Sequence, residues 1–85
     1  MKKFSYVIKD TQGIHARPAG ELVKLCNMFS SNINIEKDGK TAEAKRIFAI
    51  MSLAAKMNDE IIVTVEGEDE EKAATAVEEF LKENL

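Results

Sequence analysis

Ile33-Asn34-Ile35-Glu36-Lys37-Asp38-Gly39-Lys40-Thr41-Ala42-Glu43-Ala44 is the stretch on which the fold turns. Ile33 and Ile35 alternate with Asn34 and Glu36, the period of a strand with one face buried. Asp38-Gly39 between two such runs is a strong two-residue hairpin signal, since the tight hairpin turns need residues that accept positive φ. Lys40 to Ala44 is then the return strand. Working back from this hairpin, Ser30-Ser31-Asn32 closes a helix that begins at Ala16 and places Ala16, Ala19, Leu22, Val23, Cys26 and Phe29 on one face. Before it, Thr11-Gln12-Gly13 interrupts a strand from Phe4 to Lys9. Working forward, residues 47–54 read as a short helix, and Asn58-Asp59 as a turn in which Asn58 is able to accept a left-handed conformation. The apolar run Ile61 to Val65 reads as a central strand. Gly67 turns the chain, Asp69 is placed to cap a helix, and Glu70 and Glu71 suit the positive end of its dipole. That last helix buries Ala73, Ala74, Val77, Phe80 and Leu81. The order β-α-β-β-α-β-α predicts an α+β open-faced β-sandwich: a four-stranded antiparallel sheet with three helices on one face.

The chain has 85 residues, enough for one domain spanning 1–85. Its 45% hydrophobic content is too high for a disordered chain, and no apolar stretch is long enough to cross a membrane. No secretory signal is visible at the N-terminus, and one cysteine makes no internal disulfide, so a cytoplasmic protein is expected. The net charge of −3 and a pI near 5.2 argue against general nucleic-acid binding. That net value hides an asymmetry. Residues 1–56 hold ten Lys and Arg against five Asp and Glu, whereas residues 57–85 hold two against ten.

The one histidine, His15, stands in Gly13-Ile14-His15-Ala16-Arg17-Pro18-Ala19, where a loop meets the first helix. Backbone N–H groups at a helix start have no partner inside the helix, and the helix dipole adds positive potential there. A phosphate or other dianion fits such a terminus. Arg17 brings a guanidinium fork suited to phosphate oxygens. Pro18 gives up an N–H that the first turn leaves unpaired anyway, but it disfavours helical geometry at Arg17 and so predicts an irregular first turn. A ring nitrogen with a free lone pair at that position can act as a nucleophile. On the residues alone, a phosphoryl-accepting histidine and a plain cap or surface histidine are equally good accounts. Cys26, on the buried stripe, reads as a small core residue with no second metal ligand at suitable spacing. The run Glu68-Asp69-Glu70-Glu71 reads as helix capping, and no metal or cofactor is expected.

The segment Gly13 to Ala19 closely resembles the active-site motif of the HPr family, the histidine-containing phosphocarriers of the bacterial phosphoenolpyruvate-dependent sugar phosphotransferase system. The resemblance extends over the chain, through Met51-Ser52-Leu53 and Asp59-Glu60. It implies that His15 takes a phosphoryl group on its δ1 nitrogen from enzyme I and passes it to an enzyme II A component. It implies that Arg17 contacts the phosphoryl group and that the amides of Ala16 and Arg17 donate hydrogen bonds to it. Such a carrier relays a group between larger proteins and does not itself turn over a small molecule. A regulatory binding module, or a paralogue serving a nitrogen or dihydroxyacetone relay, is the alternative.

The sequence also departs from that family. Arg46 stands where Gram-positive-type members carry a regulatory serine phosphorylated by an ATP-dependent kinase, so that switch is expected to be absent. Ala49 and Ala54 replace glycines common in the family.

Ile47, Phe48, Ile50, Met51 and Leu53 point nearly all round the axis of the short helix, and one sheet cannot bury every direction. The resemblance implies exposure of Ile47, Phe48 and Met51, with Ile50 and Leu53 in the core. Exposed Phe and Met beside basic residues suit a transient interface with an apolar centre and a charged rim. The partner surface so implied comprises Gly20, Lys24, Asn27, Lys45, Arg46, Ile47, Phe48, Met51, Ser52 and Lys56, on a chain expected to be monomeric. Its basic residues predict docking to acidic partners that weakens as salt rises.

Overall fold

A computed structural model describes residues 1–85. The strands are β1 (Lys2–Val7), β2 (Asn32–Lys37), β3 (Lys40–Glu43) and β4 (Glu60–Glu66), and the helices are α1 (Ala16–Cys26), α2 (Ile47–Ser52) and α3 (Glu70–Asn84). The sheet runs β1-β4-β2-β3 with every neighbouring pair antiparallel. Ile33 and Ile35 on β2 and Ile61, Val63 and Val65 on β4 alternate inward and meet Ala19, Leu22 and Cys26 of α1, Ile50 of α2, and Ala73, Val77 and Leu81 of α3 in one core. The predicted open-faced sandwich is the observed fold. The hairpin forms between Lys37 and Lys40, and both turn residues have positive φ, 50° at Asp38 and 82° at Gly39, the geometry that sets this register.

Four local readings are corrected. The first strand starts at Lys2, because its ladder with β4 pairs Lys2 with Val65. It stops at Val7, after which the amides of Lys9 and Asp10 donate to the Leu85 carbonyl. The first helix ends at Cys26, where Asn27 turns its side-chain amide onto the carbonyls of Val23 (2.9 Å) and Lys45 (3.3 Å), and Phe29 packs half-buried from the loop beyond. Its first residue, Ala16, is exposed, outside the buried stripe. The short helix stops at Ser52, because Ala54 takes φ 52° and the ladder cannot continue through a left-handed residue. Asp69 occupies the N-cap position but makes no cap bond. Its carboxylate instead accepts the amides of Ser30 (2.9 Å) and Ser31 (3.0 Å) and the Ser31 hydroxyl, tying the loop after α1 to the start of α3.

Candidate active site

Three elements converge on His15. Asp10 opens the preceding loop as an Asx turn, its carboxylate accepting the Gln12 amide at 2.8 Å and its carbonyl the Gly13 amide at 3.0 Å. Gly13 follows at φ 67°. A Cβ there would lie 2.3 Å from the Ala55 carbonyl oxygen and 2.8 Å from the Lys56 Cα, so the loop before His15 touches the loop after α2 backbone to backbone. Ile14, buried, donates its amide to that same Ala55 carbonyl at 3.0 Å. Pro18 and Ala19 are buried on the other side, which fixes the His15 backbone from both directions.

His15 is the N-cap of α1, extended at φ −110° and ψ −179°, with a half-buried ring that makes no capping bond. Its carbonyl accepts the Ala19 amide at 2.9 Å and closes the first turn. The turn is helical from Ala16, correcting the predicted irregularity: the Ala19–His15 hydrogen bond closes the turn and keeps Arg17 helical despite the proline after it. The amides of Ala16 and Arg17 are therefore uncommitted donors at the positive end of an eleven-residue helix, with no acidic side chain in the first turn. Arg17 shares the turn, but its guanidinium rests 3.5 Å from Glu21 and is 76% exposed. Such a solvated pair is weak, so the fork is free to turn onto an anion beside His15.

The implied partner surface divides into free and engaged side chains. Phe48 is 84% exposed and Met51 39% exposed, while Ile50 and Leu53 lie in the core. Ile47 is half-buried rather than exposed, because it packs from α2 onto α1 at Gly20, whose added Cβ would sit 3.8 Å from its Cδ1. Lys24, Arg46, Ser52 and Lys56 are exposed. Arg46 lies 3.6 Å from Glu43, and the Ser52 hydroxyl donates to the Ala49 carbonyl at 2.6 Å. Asn27 holds two carbonyls as described, and the Lys45 ammonium donates to the Phe29 carbonyl at 2.7 Å, so these two side chains brace the loops under the surface.

Burial pushes the Cys26 thiol up to about 12, leaving a buried and unreactive sulfur. The Asp69 and Glu70 carboxylates are occupied by hydrogen bonds within the chain.

The chain matches the family model described as the PTS HPr component phosphorylation site over residues 2–83. It belongs to the PTS-HPr family. It is 38% identical over 82 residues to phosphocarrier protein HPr of Borreliella burgdorferi, covering 96% of this chain and 95% of that one. Among solved structures, a mycoplasma histidine-containing phosphocarrier protein superposes with TM-score 0.94 at 38% identity, covering 96% of this chain and 93% of that one. HPr of Thermoanaerobacter tengcongensis superposes with TM-score 0.92 at 40% identity, covering 96% and 92%, and a dimer of HPr from that organism has also been solved. The protein is thus an HPr-type phosphocarrier of the phosphotransferase system. No helix is long and apolar enough to cross a membrane.

Sequence reading missed Lys37 and Asp59, which hold the loop that contacts Gly13 and Ile14. The signal was present: Lys37 continues the inward alternation of Ile33 and Ile35, so its side chain starts on the core face.

Proposed function

We propose that His15 accepts the phosphoryl group on Nδ1 from phospho-enzyme I and surrenders it to a sugar-specific enzyme II A component. As the new N–P bond forms, the bond from phosphorus to the donor breaks, and the reverse exchange discharges the carrier. The observation that carries this reading is the pair of uncommitted amides at Ala16 and Arg17 directly after the histidine. A phosphoryl group brings a charge of roughly −2. Those amides, the helix dipole and the Arg17 fork, drawn off Glu21, meet it without any new backbone arrangement. In the test, phosphoenolpyruvate, magnesium and enzyme I should label the wild type at one acid-labile, base-stable site. His15→Ala should take no label; persistent labelling of that variant would sink the assignment.

Docking is carried by Phe48 and Met51 with a rim of Lys24, Arg46 and Lys56, on a carrier acting as a monomer in the cytoplasm. The exposure of a large aromatic on a two-turn helix packed beside α1 supports this reading. Phe48→Ala should raise the KM for enzyme I about tenfold or more, with little change in kcat, as expected for an aromatic anchor at an interface centre. Added salt should raise KM in the wild type as well, through the screened rim charges. A KM unmoved by both changes would place docking elsewhere. Arg46 has no hydroxyl, so this carrier works without a serine switch at that position.

A further inference from the structure

Lys37 reaches from the end of β2 into the fold, its side chain only 16% exposed. Its ammonium donates to the carbonyls of Leu53 at 3.3 Å and Ala54 at 3.2 Å and lies 3.3 Å from the Asp59 carboxylate. Those two carbonyls follow the last turn of α2, a helix with no basic residue of its own at that end. Lys37 thus supplies from another element the cation and the donors that the C-terminus of α2 lacks. The Asp59 carboxylate in turn accepts the Lys56 amide at 2.8 Å, so one ion pair ties down both ends of residues 53–59.

That loop is under local strain. Ala54 sits at φ 52°, where a Cβ is unfavourable and glycine is the usual residue. The next residue, Ala55, is the one whose carbonyl receives the Ile14 amide and whose oxygen leaves no room for a side chain at Gly13. A shift of Ala54 therefore moves the support of the two residues preceding His15. We propose that Lys37 is a positioning residue for phosphoryl transfer: by clamping the strained Leu53–Ala54 carbonyls and Asp59, it holds the Ala55 carbonyl where it fixes the Gly13–Ile14 approach to His15. The proposal rests on His15 as the acceptor.

Lys37→Met keeps the length and apolar stem of the side chain and removes its donors and charge. The Ile14 amide should then exchange its hydrogen about tenfold faster, because the loss of hydrogen bonds to a charged donor opens the loop locally. The kcat for labelling by phospho-enzyme I should fall several-fold, roughly in step, while KM stays within about twofold, since Lys37 lies off the exposed docking face. Lys37→Arg should retain wild-type behaviour. Adding Ala54→Gly to Lys37→Met should recover most of both losses, because glycine removes the strain that the clamp resists. If Lys37→Met does not fold, folding restored by the added Ala54→Gly supports the clamp, and a double variant that also fails to fold overturns it. Unchanged Ile14 exchange in a folded variant overturns the proposal, as does a fall in kcat without a change in exchange, or an absence of rescue by glycine. Amide exchange needs no phosphoryl donor, so failure of wild-type His15 to take label would defeat the acceptor reading separately.

Discussion

Gly13→Ala is expected to be the most damaging single-methyl change in the chain. At φ 67° any Cβ is strained, and this one would lie 2.3 Å from the Ala55 carbonyl oxygen and 2.8 Å from the Lys56 Cα, atoms of main chain that cannot rotate away. Left-handed strain costs about 1–3 kcal/mol and overpacking about 1–3 more, so a loss of about 2–6 kcal/mol is expected. For a domain of this size that is a large share of the total stability. The chain has one escape, which is to part the two loops and give up the Ile14–Ala55 hydrogen bond. In that event stability is partly kept, but the approach to His15 moves and phosphorylation by enzyme I slows. Urea denaturation and the labelling rate, measured on the same preparation, separate the two routes. A variant with wild-type midpoint and wild-type rate would show that the loops do not touch as described.

The same contact explains which parts of the molecule were legible in the sequence and which were not. The hairpin at Asp38-Gly39, the inward alternation of β2 and the left-handed Asn58, at φ 76°, announce themselves through residue types with local backbone consequences. The start of α1 and the exposed donors after His15 follow from where the helix begins, which is also a local property. The end of α1 and the end of β1 depend on carbonyl acceptors from distant residues, Lys45 and Leu85, and a carbonyl leaves no mark in the sequence; the start of β1 depends on its pairing with β4. Ala54 illustrates the limit in the other direction. Its identity argues against the conformation it holds, and it holds it next to a lysine seventeen residues away. Asp69 stands at a helix start as its residue type predicts but makes no cap bond, because three donors on the Ser30-Ser31 turn compete for its oxygens.

That competition sets the second large effect. The Ser31 hydroxyl, the Ser30 amide and the Ser31 amide hold the Asp69 carboxyl down to about 2 against the usual 3.8, with desolvation opposing them. A carboxyl depressed in the folded state adds stability that is fully present above its unfolded value, and the contribution is lost as pH falls from about 4 toward 2. Asp69→Asn offers one oxygen to those donors and turns an N–H₂ toward the rest, leaving groups on the buried Ser31 unpaired. At pH 7 the melting temperature should drop on the order of 10 °C for a domain of this length. The sharper test is how that drop depends on acid. Between pH 4 and pH 2 the wild type loses its advantage, so the two melting curves should converge. Asp59 and Glu70, also held below their ordinary values by hydrogen bonds and neighbouring cations, keep an acid limb in both proteins. Only the part owed to Asp69 should vanish from the variant. A gap that stays constant down to pH 2 would mean that the Ser30-Ser31 turn is held by shape alone. Convergence would establish the carboxylate charge as what fastens the end of α1 to the start of α3, at the other end of α1 from the loop that Lys37 holds.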